Sequence, residues 1–352
     1  MAHCRQIIFT SAAFLTYESG SQIFSSFRSE KGEIRNILAD PQHSRRENMA
    51  PDLYVNAMPM KLPFVALISI QKMKVFSKRK LVIATKHQKE KVIAPLFEKE
   101  LGVKCFAPEN FDTDLLGTFT GEIERKYDPI TTLKNKCLQA MELTNCDLGI
   151  ASEGSFGSHP VIFFAHADDE FLIFIDKKNN LEIIERELST NTNFNGSEVK
   201  TEKQLSDFAN SVNFPSHALI LRKVKDDNSE IFKGITNWEV LKKSFQQLIE
   251  KYGSAYAETD MRALYNPTRM EVIEKAAIKL VKKIKSLCPN CSTPGFGITE
   301  AKQGLPCSLC GFTTRSTLSY IYECKKCAFQ KEEKFPHDKT EEDPMYCDIC
   351  NP

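Results

Sequence analysis

An excess of charge of either sign is missing from this chain: 47 Lys and Arg face 46 Asp and Glu in 352 residues, a formal net charge of +1. Near-neutrality excludes bulk attraction to a polyanion as the organising force. Long apolar runs are missing too. The stretch near the front, Leu62–Ile70, is less than half of the roughly 20 residues a membrane-spanning helix needs. The Gly-x-Ser-x-Gly signature of a serine nucleophile elbow is absent, so that route to acyl transfer has no sequence support. What remains is 41% hydrophobic and 26% charged, the composition of a globular protein large enough for one sizeable domain plus a small module, or for two domains.

Cysteine is the residue in surplus. Eight of the twelve lie near the end in four Cys-x-x-Cys pairs: Cys288 and Cys291, Cys307 and Cys310, Cys324 and Cys327, Cys347 and Cys350. Each such turn sets two thiolates on one side of a tight loop, and two turns complete a tetrahedral zinc site. The gap between the first two pairs is 15 residues and that between the last two is 19, whereas the middle gap is 13. The outer gaps match common zinc spacing, so sequential pairing is the expectation: the first two pairs in one site and the last two in the other, with an interleaved arrangement as the alternative. A disulfide framework is disfavoured because its usual home is a small secreted chain in an oxidising compartment. From Cys288 to Pro352 there are seven Lys or Arg against nine Asp or Glu. The net of −2 becomes −6 once two Cys4–zinc sites are counted, which disfavours nucleic acid as a partner. Cys4, Cys105, Cys137 and Cys146 are scattered and read as small apolar residues.

Upstream, residues 1–78 read as a poorly ordered N-terminal extension. A weak signal-peptide likeness at Ile7–Leu15 lacks a small-x-small cleavage site. From Lys80 strands and helices alternate. Leu81–Ala84 and Asp147–Ala151 are short apolar strands. Gln88–Leu101 and Pro129–Thr144 carry helical apolar stripes, the first closed by Gly102 and the second opened by Asp128 and Pro129. Phe171–Asp176 and Leu181–Leu188 form a hairpin. Asn266 and Pro267 open a last helix that runs into Cys288. The expected fold class is α/β, with a mixed, mostly parallel sheet carrying helices on both faces over residues 79–287 and a double zinc ribbon over 288–352.

Four polar segments are candidates for chemistry. Thr85, Lys86 and His87 join a strand to a helix, where sheets and helix N-termini meet anionic ligands. Asp112 and Asp114 could hold Mg²⁺ through oxygen. Ser152, Glu153 and Ser155 lie in a glycine-bearing stretch directly after a strand, read as a loop. Asp260, Arg262 and Arg269 could clamp a phosphate or carboxylate, with a buried ion pair as the alternative.

The strings TKH…KE, FDTDLLGTFTGEI, LGIASEGSFGSHP, STNTNF, ETDMRALYNPTRM and LCPNC…GLPCSLCG…CDICNP resemble an uncharacterised, mostly bacterial domain-of-unknown-function family over residues 79–352. That resemblance implies an architecture and no reaction. A fainter likeness over residues 80–157 is to inosine-triphosphate pyrophosphatase-like proteins, which cleave nucleoside triphosphates with Mg²⁺. It implies that Thr85 with Lys89 or Lys91 matches a phosphate-binding turn and Glu153 an acidic metal site. His87 stands where that family has Asn, and its Glu-Asn-Ala helix start is missing.

The functional expectation is therefore a cytoplasmic, two-zinc α/β protein, a Mg²⁺-dependent hydrolase or binder of a phosphorylated small molecule or nucleotide. Glu153, Asp112 and Asp114 would serve catalysis. The alternative is a non-enzymatic adaptor whose ribbons dock a protein partner. No membrane partner is expected.

Overall fold

The computed structural model describes residues 75–109, 111 and 127–352. The expected mixed sheet with helices on both faces is present. Five strands, β1 (Lys80–Ala84), β2 (Lys104–Phe106), β3 (Leu148–Ser158), β4 (His166–Asp176) and β5 (Leu181–Ser189), stand in the order β2-β1-β3-β4-β5. The β2-β1 and β1-β3 pairings are parallel, and β3-β4 and β4-β5 are antiparallel. The parallel character is thus confined to the first half of the sheet. Tight hairpins at 159–165 and 177–180 can only reverse the chain, whereas the helix-bearing connections before them can return it in parallel.

Alternation along each strand divides the core in two. Leu81, Ile83, Leu148, Ile150, Leu172 and Phe174 face α1 (Glu90–Leu101) and α5 (Pro267–Lys285). Val82, Ala84, Ala151, Ile173 and Ile175 face α2 (Pro129–Leu143). The local signals explain the helices. Asp128 accepts from Ile130 N–H and Thr131 N–H at the start of α2, Gly102 closes α1 in the left-handed region at φ 66°, and the Asn266 side chain accepts from Arg269 N–H at the start of α5. Phe76, assigned from sequence to the extension, is fully buried edge-on against Phe174 at 5.4 Å. The folded core therefore begins before residue 79. A lone aromatic among polar neighbours gives no periodic signal.

A second sheet was not anticipated. Strands β6 (Gly196–Val199), β7 (Leu219–Arg222), β8 (Ile231–Ile235) and β9 (Ala255–Thr259) form an all-antiparallel sheet in the order β6-β9-β7-β8. Its own core packs against α3 (Glu202–Ser211) and α4 (Trp238–Tyr252). Strand and helix alternate here as in the first half, so sequence order alone does not separate the two sheets. The third sheet is a meander, β10 (Gly297–Gln303), β11 (Thr317–Glu323) and β12 (Gln330–Lys334). Among the described residues no helix is long and apolar enough to cross a membrane.

Helix α5 joins these parts. Val272, Ile273, Ala276, Ala277, Leu280, Val281 and Ile284 are buried along one face. Truncating Leu280→Ala is expected to cost about 2–5 kcal/mol from lost burial and the cavity left behind. Ile278→Ala, on the exposed face of the same helix, should stay within about 0.5 kcal/mol. Urea midpoints at unchanged m-value test the pair.

Candidate functional site

Strand β1 stops at Ala84, whose partner on β3 is Ala151. Strand β3 does not stop there. It runs on to Ser158, paired to β4 along its whole length. The stretch expected as a loop, Ser152 to Ser158, is therefore strand. Its glycines and serines disguise the pattern, and the hydrogen bonds to β4 decide it. Among the described residues no strand pairs with the β1 side of β3 beyond Ala151, and side chains from both faces of the sheet gather at that open edge. Lys136, on α2, donates from Nζ to the carbonyl oxygen of Ser152 at 3.2 Å and forms an ion pair with Glu153. Lys89, just before α1, donates from Nζ to Ser152 Oγ at 2.9 Å.

Across the ladder, Gly154 faces Glu170 and Phe156 faces Asp168. Arg269, in the first turn of α5, donates from Nε to Glu170 Oε1 at 2.6 Å, donates from a terminal nitrogen to the Met261 carbonyl, and stacks over Phe156 at 4.9 Å. Gly154 makes room for this: a Cβ there would collide with the Glu170 carboxylate and the Arg269 guanidinium. Thr85, Lys89, Lys136, Ser152, Glu153, Asp168, Glu170 and Arg269 are all buried. Both Asp168 carboxylate oxygens and Glu170 Oε2 have no hydrogen-bond partner among the described residues. An unpaired buried carboxylate costs several kcal/mol if it stays charged, which favours the protonated form of Asp168. Burial, reinforced by Glu170, pushes the Asp168 carboxyl up to about 8. Burial, reinforced by Arg269, pulls Lys89 down to about 7. The Arg269 guanidinium is held above its usual range: burial alone would lower it, and its pairing with Glu170 more than offsets that. Two buried proton carriers of one cluster thus have their titrations moved toward neutrality, an arrangement found at functional sites.

The sequence-named residues are gathered unevenly. Thr85, Ser152, Glu153 and Arg269 belong to this cluster. Thr85 Oγ1 accepts from His87 N–H at 3.3 Å, which shapes the turn that carries Lys86 at the surface. Ser155 shares the face of Glu153 but lies one step further along β3, opposite Asp169. Asp260 is engaged locally. It pairs with Arg262 at 2.5 Å and accepts from Gly234 N–H at 3.0 Å, while Arg262 stacks on Tyr265. Asp112 and Asp114 lie outside the described residues. Lys136, Asp168 and Glu170 were not named from sequence, although signals exist. Lys136 falls between Leu133 and Cys137 on the apolar face of α2, and Asp168 and Glu170 share a face at period two while Asp169 turns out to Arg186.

The cysteines form two compact groups, but not the expected ones. Cys288, Cys291, Cys324 and Cys327 make one, and Cys307, Cys310, Cys347 and Cys350 the other, with sulfurs inside each group all within 4.8 Å. The sequential assignment is thereby corrected to the interleaved one. The spacers are strands, not loops. An extended strand of five to seven residues spans roughly 17–23 Å, so β10 carries the second knuckle to the far end of the meander and β11 returns the third to the near end. Spacing counts residues and cannot see that they are extended. The Sγ–Sγ distances between partner knuckles are 3.7 and 3.6 Å in one group and 3.9 and 3.6 Å in the other. Four sulfurs about 2.3 Å from a tetrahedral zinc would stand about 3.8 Å apart, so the donor sets fit that ion. The hydroxyl of Thr293, 3.1 Å from Cys291 Sγ, holds that thiol down at about 6, toward the thiolate a metal requires.

The fold and these groups define an α/β protein with a buried ionisable cluster and a C-terminal module of two Cys4 clusters able to hold metal. The chain belongs to the family described as Domain of unknown function (DUF6671), which matches residues 136–352, more than half of its length. No curated protein matches it.

Two outcomes are expected here. The double variant Cys288→Ser/Cys324→Ser should retain one metal ion per chain and Cys288→Ser/Cys307→Ser none, measured by plasma mass spectrometry; sequential pairing would reverse the two. Asp168 has a folded pKa above its unfolded value, so the folded state binds the extra proton between about pH 4 and 8. Its contribution is fully present below the unfolded pKa and is lost as pH rises through about 8. Asp168→Asn should therefore raise stability at pH 8, by about 1–3 kcal/mol, and make no comparable gain at pH 4. Denaturant titrations at the two pH values check this.

Proposed function

We propose that this protein binds and hydrolyses a phosphorylated small molecule, with a nucleotide as the favoured class, at the open edge of β3 beyond the end of β1, and that its two cysteine groups hold structural zinc. The observation that carries the reading is the gathering of Lys89, Lys136 and Arg269 with Glu153, Asp168 and Glu170 at the carboxyl ends of two parallel strands. That is where α/β sheets receive ligands. Lys89, at the N-terminal cap of α1, sets its ammonium at a helix end whose dipole favours a negative group. Zinc in filled Cys4 sites has no open position for a reacting water. The zinc module is also remote: α5 runs on from Arg269 to Lys285 before the first knuckle, about 24 Å of helix.

In this reading Lys89 holds the phosphoryl group, and Arg269 positions Glu170 and closes the site beside Phe156. Asp168, protonated at neutral pH, delivers its proton to the leaving oxygen as water attacks phosphorus and the phosphorus–oxygen bond breaks. Among the described residues no trio of acidic side chains closes on one point.

A panel of nucleoside mono-, di- and triphosphates scored by thermal unfolding tests the reading. At a hundredfold excess over Kd a ligand adds about 2.7 kcal/mol, a shift of several degrees in Tm. Lys89→Met should abolish the shift. Asp168→Asn should keep it and lower turnover at least a hundredfold, measured as phosphate release. Absence of any shift across the panel, or an equal shift in Lys89→Met, would sink the proposal.

A further inference from the structure

The outer edge of β5 ends its sheet with no strand beside it among the described residues. The Ile184 carbonyl accepts from Lys283 Nζ at 2.9 Å, so its main-chain groups face away from β4. By the alternation of an antiparallel ladder, those of Glu182, Arg186 and Leu188 do too. Such an edge is a template for another extended chain. Here it opens into a cleft instead of onto a flat surface.

The cleft, about 610 Å³, runs between Asn179–Ile184 and the residues that lead into and begin β10, Thr293–Phe296 with Ile298 and Thr299. A second opening of about 490 Å³ shares Ile184, Lys283, Phe296 and Ile298 with it and continues past Glu185 and Arg186. Together they follow the turn at 179–180 and residues 181–186 of the edge, about 20 Å of extended chain. Ile298, 43% exposed, gives the far wall an apolar anchor. Gly295, at φ 92°, keeps the near wall close: a Cβ there would press on Ile183.

Charge selects the occupant. Lys282 lines the second opening and Lys325 and Lys326, within the third knuckle, line the first; none of the three has an ion pair among the described residues. Seven of the nine acidic residues of the zinc module lie on β12 and beyond, and neither Glu300 on β10 nor Glu323 on β11 lines an opening; the acids that do, Glu182 and Glu185 on β5, are paired with Lys134 and Lys283. The module therefore turns its basic side to the cleft.

We propose that this cleft is a β-augmentation site that takes an extended acidic peptide segment of a partner protein, pairing main chain to main chain with β5 and placing its carboxylates on Lys282, Lys325 and Lys326. Recognition of this kind draws affinity from the ladder and specificity from the alternate side chains. It is independent of the chemistry at Asp168.

The test is selection of a displayed library of random 12-residue peptides on the full-length, zinc-loaded protein. Enriched sequences should alternate Asp or Glu with β-branched residues. Synthetic copies should slow hydrogen exchange at the amides of Glu182, Ile184 and Arg186. Their binding should weaken at least tenfold in Lys325→Glu/Lys326→Glu, and in Ile184→Pro, which removes an outward N–H and leaves the bonds to β4 intact. Zinc content and thermal unfolding of both variants report their folding, and the lysine pair, being exposed, keeps the test sound if Ile184→Pro unfolds. No enrichment, enrichment of basic or uncharged sequences, or binders indifferent to the lysine pair would overturn the proposal. So would a concentration-dependent dimer that Ile184→Pro dissolves, which would assign the edge to a second copy of the chain.

Discussion

Burial of one face of α5 is the constraint on which the rest of the molecule depends. Seven or more apolar side chains on that face sit against β4, β5 and α1. At about 1.5–3 kcal/mol for each fully buried large side chain, this seam fixes the helix in place at both ends. Its first turn delivers Arg269 to Glu170. Its last turn delivers Lys283 to the Ile184 carbonyl and leads directly into Cys288. One packing surface therefore positions the ionisable cluster at one end and the metal module at the other, about a helix length apart.

The second consequence is electrostatic. Where β1 stops and β3 continues, the edge of β3 has no paired strand among the described residues, and backbone and carboxylate oxygens lie around it. Lys136 satisfies the Ser152 carbonyl and Glu153, Lys89 satisfies the Ser152 hydroxyl, and Arg269 satisfies half of Glu170. Asp168 is left over. A fold selected for stability alone would replace that carboxyl with an apolar or amide group. The retained cost is the physical argument for function at this point rather than at the exposed polar turns.

Much of the architecture was legible. The caps at Asp128, Asn266 and Gly102, the helical stripes and the hairpin at Lys177–Asn180 are local signals, and each appears where the pattern put it. The candidate site was half legible. Arg269, Glu153, Ser152 and Thr85 stood out by residue type and position. Lys136 was hidden in a helix stripe, and Asp168 and Glu170 were hidden in a strand whose beginning looked too polar to be one. Asp260 and Arg262 were conspicuous in sequence because they are close neighbours, and for the same reason they satisfy each other.

The sequence by itself determined that eight cysteines would meet as two groups of four, because Cys-x-x-Cys geometry is local and thiolates of this spacing are built for metal. It also determined that helices would cover both faces of a mixed sheet, because apolar periodicity is a property of neighbouring residues. Only the tertiary structure decided which knuckles pair, because that depends on whether the spacers extend or fold back. It alone decided that the α/β region divides into two sheets, because hydrogen-bond partners are chosen across the chain. And it alone decided that Lys89, Lys136, Asp168, Glu170 and Arg269 are buried together: the shifts at Lys89, Asp168 and Arg269 come from desolvation and charged neighbours, which exist only once the sheet has closed around them.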